Sequence, residues 1–359
     1  MITIFCIQPK GFNVGNEVIH MGLRHLLYKA FGEVVNIISL PTVSHYESQS
    51  KAGLTAKTIH EINQYGHGVI VGGGNLYENG ELTCNINALE SLEVPLMLFS
   101  LSRGRIYNRR SELVDRTDAM TTELVKALNK RADYSLARDE STLDFLRSLD
   151  INKAILGGCP TIFLNQIAHQ LPPLPEKEKA GVLISIRNPH LMNIPIPLQE
   201  QVRTHVNDIV SYLRKNGHKN IRLLCHDHRD IPFAVSFTDL EYVYTGDAYS
   251  YLSLLRSCEL NISYRLHATL PCMSFGTPSI KISYDERAAS MMNTIGLGEW
   301  NINLVDSEDL LGDVINRIEK INKFQEDLTS IKKCWNDTYN NMTHSLERFS
   351  KDVKTYAKL

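Results

Sequence analysis

"MITIFCIQPKGFNVGNEVIHMGLRHLLYKAF", residues 1–31, begins with an apolar run, passes through a Gly/Asn loop and continues with apolar residues at Val18, Met21, Leu26 and Leu27. An unbroken apolar run bounded by turn residues marks a buried strand, and the later spacing marks one face of a helix. A strand that leads through a glycine loop into a helix is the unit from which parallel sheets are built. The unit recurs in "VVNIISL", "HGVIVGGGNLYENG", "VPLMLFSLS" and "ADYSLARDESTLDFLRSL", the last with a helix starting near Asp139 or Ser141. At "HQLPPLPEKEKAG" the pattern gives way to proline and charge, as in a linker. Alternation then restarts with "GVLISIR", a helix from about Pro197 to Asn216, "IRLLCHD", "LEYVYTG", the helix "YSYLSLLRSC", "LNISYR", a helix from His267, and "TPSIKISYD".

The expected fold class is therefore α/β, with two Rossmann-like doubly wound domains facing a cleft. The boundaries are an N-terminal domain over 1–170, a linker over 171–180 hinged at Pro172 to Lys179, a C-terminal domain over 181–335, and a helical tail over 336–359. The polar stretch from Ser307 to Leu359 keeps helical spacing at Leu311, Val314, Ile315, Ile318 and Ile321, which fits a surface helix packed on one domain.

Size and charge narrow the function. A chain of 359 residues exceeds what one core usually spans. A net charge of -2 leaves no basic excess for a nucleic-acid partner. The seven cysteines are scattered without a C-x-x-C pair, so neither a disulfide framework nor a zinc site is expected. The first residues have too short an apolar run for a signal peptide and no segment reaches membrane-span length, so the cytoplasm is the expected compartment. Any membrane association is expected to be peripheral, at the inner face.

Open α/β sheets bind ligands at the carboxyl ends of their strands, and the sharp motifs all fall there. "FNVGNE" offers Asn13, Gly15 and Asn16, and "GGGN" offers Gly73, Gly74 and Asn75; such loops serve either for close approach to a ligand or for a turn with positive φ. Neither stretch matches a dinucleotide or P-loop signature. In "ARDES", Arg138 stands at a strand end while the acidic residues behind it suit a helix start. "CHDHRD" gathers His226, Asp227, His228 and Asp230, but alternation along a strand sends the two histidines to opposite sides, so no metal site is expected there. "ISIRNPH" and "ISYRLHA" each carry Ile-Ser-x-Arg at a strand end, which brings Arg187 and Arg265 to one sheet edge, able to grip a carboxylate and a phosphate. His267 follows where a helix begins and can donate a proton near neutral pH.

The series "NVGNEVI", "GGGNLY", "SLARDEST", "SIR", "CHDHRD", "SYRLHATL" and "GTPSIKISYDERAASMMNTIGL" resembles, in order and over about residues 11 to 297, the polysaccharide pyruvyl transferases. The resemblance implies a GT-B-like pair of domains with the acceptor on the N-terminal side and the donor on the C-terminal side. Phosphoenolpyruvate would be the donor substrate and a saccharide or lipid-linked saccharide the acceptor. A cyclic pyruvate ketal on a cell-surface glycan or its precursor would be the product, with no cofactor. It carries donor binding onto Arg187, Arg265, Leu266 and His267, with His267 catalytic beside the two arginines; His226 and Asp285 are further candidates for substrate contact. The sequence departs from the family where Gly15-Asn16-Glu17 replaces Gly-Asp-Glu, in "GGCPT", and in "SYDE", where Arg287 stands in for a lysine. Two competing readings are a glycosyltransferase of the same architecture using a nucleotide sugar, and a non-catalytic sugar-binding relative. The acceptor is expected to be chosen by N-terminal loops such as "SLSRGRIYNRR" (Ser100 to Arg110).

Overall fold

A computed structural model of the chain describes residues 1–44, 51–78 and 80–358. Asn79 of the second glycine loop and Leu359 at the end of the expected tail lie outside the described residues. The first half contains β1 (Thr3–Gln8), β2 (Asn36–Pro41), β3 (Gly68–Gly74), β4 (Leu96–Leu101), an antiparallel ribbon of β5 (Ile106–Tyr107) and β6 (Leu113–Val114), then β7 (Tyr134–Ala137) and β8 (Ile155–Leu156). The second contains β9 (Val182–Ile186), β10 (Ile221–Cys225), β11 (Glu241–Tyr244), β12 (Leu260–Ser263), β13 (Ser279–Ser283) and β14 (Asn301–Asn303).

Two six-stranded sheets result, ordered β2-β1-β3-β4-β7-β8 and β11-β10-β9-β12-β13-β14, and every pairing in them is parallel. The order reverses between β1 and β3 in one sheet and between β9 and β12 in the other. At such a reversal the connections leave in opposite directions and open a crevice at the strand ends. Asn13, Asn75, Arg187 and Arg265 all follow strands at these two reversals.

Packing across the halves is extensive. The helix Val14–Phe31, capped by the Asn13 side chain and ended by Gly32 at φ 67, serves both cores. Its start, Val14, Val18 and Met21, packs with Leu183, Leu224 and Tyr251 of the second half. Its end, Leu23, Leu26, Leu27 and Phe31, packs with Ile4, Ile70 and Met97 under the first sheet. The turns of Pro160–Gln170 lie against the second half, where Asn165 N–H donates to Ser274 Oγ (2.9 Å) and Arg256 Nη1 to the Ala168 carbonyl (2.7 Å). The last helix, Lys332–Tyr356, starts on the second half, with Trp335 Nε1 donating to the Ile295 carbonyl (2.9 Å). It then returns to the first sheet, burying Met342, Leu346, Phe349 and Val353 completely. Among the described residues no helix is long and apolar enough to cross a membrane.

One face of the second sheet is polar although buried. In register across β9, β12 and β13, Ser185 faces Ser263 and Ser263 faces Lys281. Ser185 Oγ donates to Asn261 Oδ1 (2.9 Å) and Asn261 Nδ2 to Ser279 Oγ (2.8 Å). Lys281 is fully buried, and its ammonium donates to two main-chain carbonyls, Ser263 (3.4 Å) and Ile282 (2.5 Å). Burial lowers its pKa to about 7 from the ordinary 10.5. Between these values the unfolded chain holds a proton that the folded chain releases, so this group makes stability rise with pH across that window. The opposing effect is complete below about pH 7 and vanishes near the unfolded value. Lys281→Met should therefore raise the unfolding midpoint most near pH 6 to about 7, with the gap over wild type closing towards about pH 10. Chemical denaturation at several pH values measures this, and a gap independent of pH would contradict it.

Candidate active site

The two crevices face each other and enclose a cleft of about 430 Å³. Asn13, Asn16, Gly74, Asn75 and Arg138 line it from the first half; Arg187, His226, Arg265, Leu266, His267 and Asp285 line it from the second. Of the residues singled out in the sequence, Gly15, Gly73, Asp227, His228 and Asp230 do not line it. Gly73 and Gly74 take φ of 70° and 117°, the left-handed region that favours glycine. Gly15 instead lies in a helical turn, and its reason is space: a Cβ there would collide with His226 Nε2 and stand 3.0 Å from His267 Cβ.

Arg187 and Arg265 converge on Asp230. Arg187 Nη1 is 3.4 Å from Asp230 Oδ1 and Arg265 Nη2 is 3.8 Å from Asp230 Oδ2. The carboxylate is fully buried and held by the Asn188 N–H (3.0 Å). Beside it, burial pushes the Asp227 carboxyl up, but hydrogen bonds from the Arg229 side chain and N–H outweigh this and hold it at about 2. Burial and the neighbouring Arg265 lower the pKa of Arg187. Arg138 reaches the cleft from the end of β7 and is 3% exposed. Its nearest acid, Asp139, lies 3.8 Å away and already accepts from Thr142 N–H (3.0 Å), Thr142 Oγ1 (2.9 Å) and Ser290 Oγ (3.2 Å). Arg138 Nε, Arg187 Nε and Arg265 Nη2 are buried and make no hydrogen bond. Two of them stand 3.8 Å from carboxylate oxygens that also lack a hydrogen bond, Asp139 Oδ2 and Asp230 Oδ2, so these ion pairs are loose and three guanidinium groups with spare donors border one cleft.

His267 lies in the first turn of the helix Leu266–Phe275, at φ −84° and ψ 16°. Pro271, four residues on, has no N–H for the His267 carbonyl and its ring crowds it, which accounts for the departure from helical geometry. The Tyr251 hydroxyl donates to that carbonyl instead (3.3 Å). The His267 ring places Nε2 3.7 Å from Cys159 Sγ. Burial, then the charges of Arg138, Arg265 and Arg287, hold its pKa well below the usual imidazole range. His226 is buried too, with Nδ1 2.7 Å from Tyr251 Oη and its carbonyl accepting from Val14 N–H (3.2 Å). Burial, Arg265, His267 and Arg187 also depress its pKa strongly. His228 points away, half-exposed, with its ring edge-on to Phe12 at 4.4 Å.

Asp285 borders the cleft, but its carboxylate is engaged: it accepts from Ala288 N–H (3.0 Å) and pairs with Arg287 Nη2 (2.6 Å). In this arrangement it positions Arg287, which also pairs with the buried Glu78 of the first half (2.7 Å). Burial raises the Glu78 pKa, opposed by Arg287 and by the Gly104 N–H, which donates at 2.9 Å. Next to this bridge Arg105 binds Glu286 through its backbone N–H (2.8 Å) and guanidinium (2.5 Å). The stretch "SLSRGRIYNRR" is thus docked on "DER" of the other half. Sequence reasoning missed Glu78, Cys159, Tyr251 and Lys281. Glu78 closes "GGGNLYE" and Lys281 interrupts an apolar strand, which are readable signals; Cys159 and Tyr251 acquire meaning only through their neighbours in space.

A sequence model of the polysaccharide pyruvyl transferases matches residues 13–286, a span that contains the cleft-lining Asn13, Asn16, Gly74, Asn75, Arg138, Arg187, His226, Arg265, Leu266, His267 and Asp285. The amylovoran biosynthesis protein AmsJ of Erwinia amylovora is 41% identical over 46 residues, which cover 13% of this chain and 11% of that protein. Among solved structures, the fold is similar to MnaA of S. aureus in its UDP co-structure, with a TM-score of 0.57 and 13% identity over 100% of this chain and 98% of that one. It is similar to the UDP-GlcNAc 2-epimerase from Neisseria meningitidis bound to UDP-GlcNAc, with a TM-score of 0.55 and 11% identity over 91% of this chain and 94% of that one. A variant of the wall teichoic acid polymerase TagF gives 0.51 and 12% over 100% and 90%. At these identities the structural likeness speaks for the GT-B-like fold alone. The family match covers most of the chain, and with it the protein belongs to the polysaccharide pyruvyl transferase family.

Proposed function

We propose that the protein transfers pyruvate from phosphoenolpyruvate to two hydroxyls of a saccharide, forming a cyclic ketal and releasing phosphate. The observation that carries this reading is the convergence of Arg138, Arg187 and Arg265, each with a buried guanidinium nitrogen that makes no hydrogen bond, on one cleft beside His267. Phosphoenolpyruvate presents a carboxylate and a phosphate on one small frame, and planar guanidinium groups match both. The amides of Asn13, Asn16 and Asn75 on the opposite wall suit sugar hydroxyls, which both donate and accept. The amylovoran biosynthesis role in the name of the short-range relative supports a polysaccharide or its precursor as acceptor.

In this mechanism the arginines hold the donor's anionic groups and stabilise charge on the departing phosphate. His267 gives a proton to the methylene carbon, C2 becomes electrophilic, and one sugar hydroxyl adds to it. Phosphate leaves as the second hydroxyl closes the ring. The depressed pKa of His267 comes first from burial and then from Arg138, Arg265 and Arg287, and a bound donor offsets the charges of Arg138 and Arg265. An arriving dianion reverses the local field and raises the imidazole pKa, so the acid is charged when its substrate is present.

Three outcomes test the reading. Phosphoenolpyruvate should raise the melting temperature while nucleotide sugars leave it unchanged, and the reverse ranking would favour a glycosyltransferase. Donor binding should take up a proton, since His267 gains affinity for it; calorimetry in buffers of different ionisation enthalpy reads this uptake, and affinity should fall as pH rises past the bound-state pKa. His267→Gln should lower kcat by about 10²-fold or more, abolish the proton uptake and bind the donor as wild type does above the bound-state pKa, whereas Arg265→Lys should weaken both binding and turnover at every pH. Turnover is read by mass spectrometry as a glycan gaining pyruvate less water, and a near-normal His267→Gln enzyme would remove the imidazole from the reaction.

A further inference from the structure

We infer that His226 is a second catalytic residue, the general base that takes the proton of the first attacking hydroxyl, and that Tyr251 and Pro271 fix the tautomer this requires. The inference deepens the pyruvyl transfer reading and rests on it. Its physical basis is a chain of hydrogen bonds that begins in the sequence. In a regular helix the His267 carbonyl would accept from the N–H of residue 271, but that residue is proline. The Tyr251 hydroxyl donates to this carbonyl instead. A hydroxyl has one proton, so the same oxygen, 2.7 Å from His226 Nδ1, acts there as acceptor. His226 Nδ1 therefore carries the hydrogen, and Nε2 keeps its lone pair.

Nε2 lies beside Gly15, where the missing side chain leaves it room; it makes no hydrogen bond among the described residues, and the ring lines the cleft. The groups facing His226 are Arg187, Arg265, His267 and the Tyr251 hydroxyl, and the positive neighbours together with burial keep the imidazole neutral. His267 meets the same space, its Cβ 3.0 Å from where a Gly15 Cβ would stand. The absent side chain thus lets a neutral imidazole and one that is charged when the donor binds approach each other.

Proton balance suits such a pair, because ketal formation adds two hydroxyls in succession. In the first addition His267 gives its proton to the methylene carbon, the C2–O bond forms, and His226 takes the hydroxyl's proton. In the second the C2–O bond to phosphate breaks and His226 returns its proton to the leaving phosphate. The second hydroxyl bonds to C2 and passes its proton to His267. Both rings end as they began. The two hydroxyl protons appear in the new methyl group and in the released phosphate, and no outside acid or base is consumed.

Two measurements on the full chain test this. In the 15N-labelled protein, long-range proton–nitrogen correlation should give His226, identified by its loss in His226→Gln, the Nδ1–H pattern, and Tyr251→Phe should abolish that preference. His226→Gln should lower kcat by about 10²-fold with KM for phosphoenolpyruvate unchanged. If that variant fails to fold, Tyr251→Phe, which keeps the ring, should still lower kcat while leaving the donor-induced thermal shift intact. An Nε2–H pattern in wild type, or wild-type kcat in either variant, would overturn the assignment. Wild-type protein that forms no ketal with any acceptor would instead sink the pyruvyl transfer reading, while the tautomer would still report on the hydrogen-bond chain.

Discussion

Two guanidinium groups at one sheet edge repel each other, and the site depends on the buried carboxylate that keeps them together. Asp230 lies within 3.4 Å of Arg187 and 3.8 Å of Arg265, and a main-chain N–H fixes it from behind. One carboxylate cannot satisfy two guanidinium groups. Part of their hydrogen-bonding capacity stays unused at the border of the cleft, where Arg138 adds a third cation from the other half. Burial first, and this charge with it, lowers the pKa of both imidazoles well below the usual range.

The geometry of the cleft is also a property of the interface between the halves. Arg138 reaches His267 from the first sheet, Gly15 makes room for two imidazoles of the second, and Glu78 shares Arg287 with Asp285. Asp139 combines the same roles on a small scale, since its carboxylate caps one helix and accepts a hydroxyl from the helix of the opposite half. Buried ion pairs of this kind contribute more to a fixed arrangement than to net stability, because desolvation offsets much of their attraction. The Arg105–Glu286 contact extends the same seam to the surface.

What the sequence disclosed follows from which interactions are local. Strands such as "TIFCIQ" and "VLISI" are legible because burial on both faces makes them continuously apolar, and Arg187 and Arg265 are legible because both follow such strands. Asp139 as a helix cap is local as well. Gly15 was read as a loop residue with a choice between turn and ligand, but its constraint comes from side chains more than 200 positions away. Asp285, a candidate for substrate contact by resemblance alone, lines the cleft, and its pairing with Arg287, with Glu78 behind that, is not legible in the sequence. Tyr251 carries no signal at all in its own helix, where it reads as one more apolar position.

The chain passes between the halves twice, once through the turns after Pro160 and again along the helix Lys332–Tyr356, which is anchored on Ile295 at one end and beneath the first sheet at the other. Two crossings leave the halves fewer ways to move against each other than a single linker would.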